Sequence, residues 1–230
     1  MSLPYITDQY RITFPDPEDS EDGIVCYGGN LSPGVLLSAL EQGIFPWYKT
    51  PEPIIWWSPD PRFVILRECF HIPKRLKRYI KKSSLDITMD KAFKQVINNC
   101  AGITRKNQNG TWITPEMEEA YCELHRLGYA HSVEAWNKDV LAGGLYGVLL
   151  GNIFIGESMF SLESNASHFA FVRFAEFFFK SGGRLIDSQV YTENICAFGG
   201  KNISRQAYLR LLKDNTRDSQ FCTNLFPFPE

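Results

Sequence analysis

The sequence predicts an α+β protein, with a small N-terminal unit over residues 1–62 and a larger domain over residues 63–230 that contains a mixed or antiparallel sheet. Two observations in the larger domain point to this class. The apolar runs Val140–Leu150 and Ile153–Ile155 are separated by Gly-Asn, a tight-turn signal that is typical of a hairpin. The run Asn165–Lys180 is strongly apolar, with six phenylalanines, and predicts a buried helix against that sheet.

The N-terminal unit is rich in proline, glycine and tryptophan and shows one regular element. Ser32-Pro33 supplies a cap residue and a first-turn proline for a helix, and Gly43 ends that helix. Two aromatic, proline-stiffened segments follow, Phe45–Tyr48 and Ile54–Arg62. They are consistent either with a packed cover or with a platform for a ligand.

Residues 63–66 predict a strand, and His71–Lys82 predicts an amphipathic helix with an uneven distribution of charge. One stripe of this helix is apolar, with a spacing of four residues. The rest of its surface carries six cations and no acid, namely Lys74, Arg75, Lys77, Arg78, Lys81 and Lys82. In a chain of net charge −2 this local excess is consistent with a solvated face or with phosphate binding.

The remaining elements follow from turn signals and apolar periodicity. Residues 84–137 show a mainly helical pattern, in which Thr114-Pro115 begins a helix and Ala130–Trp136 forms a closing strand. Residues 185–190 predict a short buried strand after the phenylalanine-rich helix. A last helix is expected from about Ser204 to Leu212.

Two segments of the larger domain carry the side chains best suited to chemistry. Strand side chains alternate, so Asp187 and Gln189 are expected on one face of the strand 185–190. A carboxylate and an amide in an apolar strand are costly unless they are hydrogen-bonded, which makes both residues site candidates. The segment Gly156–Ser161 adds Glu157, two hydroxyls, a thioether and an aromatic ring directly after the hairpin's second strand.

Composition argues against several classes of protein. The net charge of −2 gives no global attraction to nucleic acid, so any such contact must be local. No apolar run reaches the length of a membrane span, and the acidic N-terminus lacks a signal core, so we expect a cytoplasmic protein without membrane contact. The six cysteines form no CxxC pair and the four histidines show no metal spacing, so we assign no metal.

Eight segments occur in a recognisable order from about residue 25 to residue 212. They are Gly28–Pro33, Gly43–Trp47, Trp56–Arg62, Thr111–Thr114, Ala130–Glu134, Gly143–Gly147, Gly156–Ser161 and Leu185–Val190. Together, in this register, they resemble the leucyl/phenylalanyl-tRNA–protein transferases, the bacterial enzymes of the N-degron pathway of protein degradation. Any one of these motifs is weakly specific, whereas eight in order are strongly specific.

The resemblance implies a fold and an activity. The larger domain would be like the GCN5-related acetyltransferases, and the enzyme would use no metal or nucleotide cofactor. It would move leucine or phenylalanine, and we also expect methionine, from aminoacyl-tRNA to proteins whose N-terminal residue is arginine or lysine. We expect a monomer.

The resemblance also implies roles for individual residues. The terminal adenosine of the tRNA would be held by Trp47 and Trp112. The amino-acid side chain would enter a pocket lined by Phe154, Met159, Phe174 and Ile186, with Tyr121 nearby and Gly156 in the same substrate-binding segment.

The predicted chemistry centres on three polar side chains. Asp187 can fix Gln189, whose side-chain oxygen can accept a hydrogen bond from the incoming amine. The charge of Asp187 can stabilise the ammonium that develops on attack. An amide oxygen is a very weak base, so Gln189 is expected to orient the amine rather than take its proton. Glu157 can bind either the amino group of the donor or the cationic side chain of the acceptor, and the sequence does not decide between them.

Two segments depart from the family pattern. An Asn-Ala-Ser-Lys element reads Asn165–His168 here, and the stretch after the Asp-x-Gln strand, which usually carries His and then Ser-Leu-Gly, reads Asn194–Gly199. The same fold with altered donor or acceptor preference is therefore one alternative. A CoA-dependent N-acyltransferase is a second, but we find no Arg-x-x-Gly-x-Gly/Ala turn for the pyrophosphate. A non-catalytic RNA-binding protein is a third, and it leaves Asp187 and Gln189 unexplained.

Overall fold

The computed structural model describes residues 10–103 and 111–215, so both outer ends of the two expected units, 1–9 and 216–230, lie outside the described residues. The helices within these ranges are α1 Pro33–Glu41, α2 Lys74–Ile80, α3 Phe93–Gly102, α4 Pro115–Arg126, α5 Ala166–Lys180, α6 Glu193–Cys196 and α7 Arg205–Asn215. The strands are β1 Ile24–Tyr27, β2 Phe45–Pro46, β3 Ile55–Trp57, β4 Arg62–Leu66, β5 Asp86–Met89, β6 Ala130–Asn137, β7 Val140–Leu150, β8 Ile153–Ser161, β9 Leu185–Asp187 and β10 Lys201–Ile203.

The larger domain is built on a sheet with the strand order β10-β4-β9-β8-β7-β6-β5. Neighbouring strands are antiparallel except β8 and β9, which are parallel. The predicted α+β fold, with a small N-terminal region and a larger domain on a mixed sheet, is confirmed. The more specific likeness to GCN5-related acetyltransferases stays a prediction.

The N-terminal region contains a second sheet that the sequence did not predict. Its strand order is β1-β3-β2, and α1 packs against it. These strands have two to four residues, too few for alternation to show as a pattern. The region shares one apolar cluster with α3, α4 and a face of the large sheet, including Leu37, Trp56 and Tyr121. The division at residues 62 and 63 stays a prediction, and β4 begins at Arg62.

Three predicted boundaries are wrong for local reasons. The stretch 84–137 does not begin with a helix, because β5 pairs with β6 as an edge strand ahead of α3. The basic helix covers only Lys74–Ile80, since Pro73 is its cap residue and lies in an extended conformation. The strand expected at 185–190 ends at Asp187, because Gln189 has a φ of +58° and turns the chain.

Strand β8 is longer than predicted, and this has a consequence for the site. It continues through Ser161 because it stays paired with β7 along its whole length. It pairs with β9 only over Ile153–Ile155. The segment Gly156–Ser161 of β8 extends past the end of β9 and has no strand paired with it on that side. This leaves a space at the carboxyl end of the parallel pair.

Helix α5 closes one side of that space by packing closely on the sheet. A Cβ atom at Gly143 of β7 would lie 2.7 Å from the Cβ of Ala166, so glycine is required for the first turn of α5 to approach. The phenylalanines of α5 join a second apolar cluster on this face of the sheet. Within it the rings of Phe154 and Phe174 lie 4.4 Å apart between centroids, in a tilted arrangement.

Candidate active site

A cavity of about 730 Å³ occupies the space beyond the end of β9. Its size falls in the range of small-molecule sites, roughly 300–1,000 Å³. The N-terminal region, the ends of α3 and α4, the strands β7 to β9 and the first turns of α5 all contribute to its walls. Among the predicted site residues, those that line the cavity are Trp47, Trp112, Phe154, Gly156, Glu157, Met159, Ile186, Asp187 and Gln189.

Asp187 lies at the floor of the cavity and is fully buried, with 0% of its surface exposed. Arg62 donates two hydrogen bonds to this carboxylate, from Nε to Oδ1 at 2.9 Å and from Nη2 to Oδ2 at 2.6 Å. The hydroxyl of Tyr208 donates to Oδ2 at 2.8 Å. The backbone N–H of Gln189 donates to Oδ1 at 2.9 Å. Both carboxylate oxygens are therefore fully used by donors beneath the cavity floor.

Arg62 is the partner that makes this burial possible. It is 1% exposed, and its guanidinium also donates to the carbonyl of Gly43 at 3.2 Å. Its plane packs over the ring of Phe45 at 4.9 Å and over that of Tyr208 at 4.4 Å. The bidentate geometry is the strong form of this ion pair, so the charge of Asp187 is balanced within the protein.

Sequence reasoning missed both Arg62 and Tyr208 as members of the site. A signal for the arginine was available, because a carboxylate predicted in a buried strand needs a cationic partner. Arg62 immediately precedes the apolar strand predicted at 63–66. Nothing in the sequence pattern singled out Tyr208, which reaches Asp187 from α7.

Gln189 is held differently from the prediction. It does not share a strand face with Asp187, since β9 has ended, and it is fixed through its own backbone N–H rather than through its side chain. This backbone bond leaves the amide group free to reach the cavity. There its Nε2 donates to Oε2 of Glu157 at 3.4 Å. The residue is 8% exposed, so the amide lies on the cavity wall with little access to bulk water.

Glu157 lies on β8 and completes the polar part of the cavity. Burial raises the pKa of its carboxyl to about 7, and the nearby negative charge of Asp187 acts in the same direction. The hydroxyl of Tyr121, the amide of Gln189 and the guanidinium of Arg62 act against that rise. The carboxyl is thus close to half ionised at neutral pH.

The apolar part of the cavity lies beside this polar group. Phe154, Met159 and Ile186 line it as predicted, and Leu145 and Phe171 extend it. Phe174 is 1% exposed and does not appear on the wall, because its ring lies behind that of Phe154. Phe174 therefore packs against Phe154 and supports the pocket wall without lining the cavity itself.

The two tryptophans of the cavity wall, Trp47 and Trp112, are accessible enough to meet a ligand. Trp47 is 39% exposed and its ring lies 5.9 Å from that of Trp57. The indole of Trp57 donates to the backbone carbonyl of Trp47 at 2.8 Å, which holds the segment in place. Trp112, just ahead of α4, is partly exposed on the same cavity.

Two groups of predicted residues lie away from the cavity surface. Tyr121 is fully buried in α4, packs edge-on against Tyr146 at 5.6 Å and bears on the site through its proximity to Glu157. The six cations of the predicted basic helix are exposed, four of them on α2 and the other two, Lys81 and Lys82, just after it. Leu76 anchors α2 in the apolar cluster beneath α5. None of these cations is among the described residues that line the cavity.

The two segments that depart from the family pattern meet at the cavity wall. His168 and Asn194 both line it, and their side chains lie near each other. Burial lowers the pKa of the His168 imidazole, and the neighbouring Asn194 side chain opposes this change. The ring also meets Phe198 edge-on at 5.7 Å. Their position makes these departures part of the site rather than of the distant surface.

Comparisons with known proteins show the family of this chain. A family model described as leucyl/phenylalanyl-tRNA protein transferase matches residues 64–213, and one described as the N-terminal domain of the same family matches residues 29–60. The chain belongs to this family. It is therefore an aminoacyltransferase, with an aminoacyl-tRNA as donor and a protein as acceptor, and the CoA-dependent and non-catalytic alternatives are not favoured.

Relatives in several bacteria carry the name leucyl/phenylalanyl-tRNA–protein transferase. The protein of Anaeromyxobacter sp. (strain Fw109-5) is 51% identical over 88% of this chain and 86% of its own length. That of Myxococcus xanthus (strain DK1622) is 46% identical over 94% of this chain and 95% of its own length. That of Escherichia fergusonii is 47% identical over 89% of this chain and 87% of its own length.

Two further observations concern the described residues as a whole. In these ranges no helix has the length and apolarity needed to cross a membrane. Nor is there, among the same residues, a group of three or more histidines, cysteines and acids placed to hold a metal ion.

The solved structure of L-PGS from Bacillus licheniformis is similar over 67% of this chain and 51% of that one, at 10% identity, but its TM-score of 0.39 is too low to support an argument.

Proposed function

We propose that this aminoacyltransferase moves leucine or phenylalanine, and also methionine, from aminoacyl-tRNA to the α-amine of an N-terminal arginine or lysine, which marks the acceptor protein for degradation. The observation that carries the proposal is one cavity that joins an apolar pocket, an aromatic wall and a buried polar group. An aminoacylated adenosine has a part to match each of them: an apolar side chain, an aromatic base and a polar ester with its amino group. Because its donor is made and used in translation, we expect the enzyme to act in the cytoplasm.

The aromatic wall and the pocket would divide the donor between them. Trp47 and Trp112 would stack on the terminal adenosine, since base stacking on an aromatic ring contributes about 1–3 kcal/mol. The amino-acid side chain would enter between Phe154, Met159 and Ile186, which are backed by Phe174. The ester carbonyl would then lie beside the polar group.

The reaction needs positioning more than activation. An aminoacyl ester is already reactive toward amines. With a free pKa of roughly 7.7–8.0, about a tenth to a sixth of the α-amine is neutral at pH 7. Correct alignment of amine and ester can contribute roughly 7–11 kcal/mol. Asp187 supports this alignment by fixing the backbone of Gln189, whose side-chain oxygen would accept a hydrogen bond from the attacking amine. Because Arg62 balances its charge, the role of Asp187 becomes mainly one of positioning.

The direct test is transfer itself. Labelled Leu-tRNA and a peptide that begins with arginine should give labelled peptide without ATP or CoA. A peptide that begins with glutamate serves as the matched acceptor control. The proposal would be contradicted if neither peptide were labelled, or if labelling required CoA.

Donor choice gives a first prediction. A pocket of apolar, closely packed walls should discriminate by steps of about 1–3 kcal/mol per methylene-sized misfit, or roughly 10–200-fold in kcat/KM. Leu-, Phe- and Met-tRNA should therefore be used well, and the β-branched Val- and Ile-tRNA poorly. Competition between two differently labelled donors measures the ratio directly. Val-tRNA used as well as Leu-tRNA would contradict the assigned pocket.

Helix α2 gives a second prediction, because its exposed cations are suited to phosphates of the tRNA acceptor arm. Charge reversal at Lys77, Arg78 and Lys81 should raise KM for every donor tRNA alike. Each phosphate contact that is lost should flatten the slope of log K against log salt by about 0.7–0.9. A short aminoacyl-adenosine mimic, which does not extend to this helix, should be used normally.

The control for α2 is an equal reversal of exposed lysines elsewhere, at Lys94, Lys138 and Lys213. Both triple variants carry the same net charge, so a difference between them reports location and not overall charge. Equal loss of activity on the short mimic would mean that α2 supports folding. In that case the cations form a solvated face and the tRNA arm binds elsewhere.

A further inference from the structure

The carboxyl of Glu157 has one oxygen that the protein does not use. Its Oε1 is buried and has no hydrogen-bond partner among the described residues, while Oε2 accepts from Gln189. The hydroxyl of Tyr121 lies close to the carboxyl but completes no hydrogen bond of good geometry. A buried oxygen left unpaired in this way is costly unless a ligand satisfies it. Because Glu157 lines the cavity, that ligand would be the substrate.

The other ionisable side chains of the described cavity wall are less suited to accept a proton. Asp187 has both oxygens occupied by Arg62, Tyr208 and the backbone of Gln189. The imidazole of His168 lies on α5 beside Asn194, and burial lowers its pKa, which weakens it as a base.

We propose that Glu157 is the proton acceptor of the transfer, receiving the proton of the attacking α-amine on Oε1 and returning it to the leaving ribose oxygen. This inference rests on the proposed function. Gln189 donates to Oε2 at 3.4 Å and so holds the carboxyl of Glu157, a residue of the cavity wall. The same amide group presents its oxygen to the amine, so one side chain orients both the base and the nucleophile.

The step balances without a further reactant. The neutral amine attacks the ester carbonyl, a C–N bond forms, and the nitrogen gains positive charge. Its proton passes to Glu157 as the C–O bond to the ribose breaks. The protonated carboxyl then supplies that proton to the ribose oxygen, which leaves as a hydroxyl. Glu157 ends as the carboxylate in which it began, and the products are the amide and free tRNA.

The environment suits a carboxyl to this task. The groups that face it are Tyr121 from α4, Asp187 from β9, Arg62 from β4 and Gln189 after β9. Their combined effect, dominated by burial, raises its pKa to about 7. A base whose pKa is near the working pH combines a substantial ionised fraction with good proton affinity.

The pH dependence of the wild-type enzyme tests the proposal without a variant. Transfer at saturating donor and Arg-peptide needs both an ionised Glu157 and a neutral amine. As pH falls below about 7, both fractions decline, so log rate should approach a slope of two against pH. A slope of one in the same range, from the amine alone, would overturn the proposal. Transfer itself is measured in this assay, so its presence upholds the proposed function in either case.

The variant Glu157→Gln tests the same point by a different route. It keeps the shape of the side chain but cannot take a proton, so the saturated rate should fall about 10²–10⁴-fold and the slope should become one. KM for donor and acceptor should change little. Glu176→Gln, on the exposed face of α5, is the matched control and should behave as wild type. A rise in KM for the Arg-peptide with a near-normal saturated rate would assign Glu157 to cation binding and overturn the proposal.

Discussion

Replacement of Arg62 with alanine is expected to lower the free energy of unfolding by about 3–5 kcal/mol. The reason is that Asp187, at 0% exposure, would keep its charge in the interior with only Tyr208 and one backbone N–H as partners. The rings of Phe45 and Tyr208 would also lose the guanidinium that packs over them. Urea unfolding followed by tryptophan fluorescence measures this loss.

Two comparisons make the stability result specific. Glu176→Ala breaks an ion pair with Arg173 that is about half exposed on both sides, and it should change stability far less. The double variant Arg62→Met, Asp187→Leu removes both buried charges and should recover much of the lost stability while transfer stays impaired. A loss below 1 kcal/mol in Arg62→Ala would show that the buried pair is not the anchor of the cavity floor.

Gln189→Ala is expected to lower turnover by about 100-fold while KM for tRNA stays near its normal value. Removal of the amide frees Oε2 of Glu157 and takes away the acceptor for the incoming amine, and a misalignment of about 1 Å can have an effect of this size. The measurement is single-turnover transfer at saturating donor. Asp187→Ala should show a similar loss of turnover, accompanied by a loss of stability, since Arg62 would then be the unpaired charge.

The control for Gln189 is Gln95→Ala, which removes the same group from an exposed position on α3. It should leave both turnover and KM unchanged. If Gln189→Ala keeps a near-normal single-turnover rate while the control is also normal, the proposed reaction centre is wrong. An equal rise in KM without a change in rate would instead make Gln189 a part of the donor site.

Much of the candidate site was predictable because its polar side chains are chemically conspicuous in the sequence. A carboxylate, an amide and a glutamate stand next to apolar strands, and such residues rarely lie there without a role. The aromatic segments near Trp47 were ambiguous between a packed cover and a ligand platform. Only the exposure of Trp47 on the shared cavity favours the second interpretation.

The alternation rule brought Asp187 and Gln189 together for an incorrect geometric reason, although both line the cavity. It placed Asp187 and Gln189 on one strand face, yet the strand ends between them and Gln189 turns with a positive φ. A few residues cannot show in their pattern whether a strand continues, because pairing with neighbouring strands decides that. The same limit explains why β5 and the small N-terminal sheet were missed.

The sequence by itself determined the fold class, the hairpin of β7 and β8, the phenylalanine-rich helix and the family, because apolar periodicity, turn residues and motif order are local or sequential properties. The tertiary structure alone decided which groups neutralise and orient one another. Arg62 and Tyr208 come from distant parts of the chain to occupy both oxygens of Asp187. The buried Oε1 of Glu157 has no hydrogen-bond partner within residues 10–103 and 111–215. Contacts of that kind depend on burial and on long-range packing, and neither can be read from the order of residues.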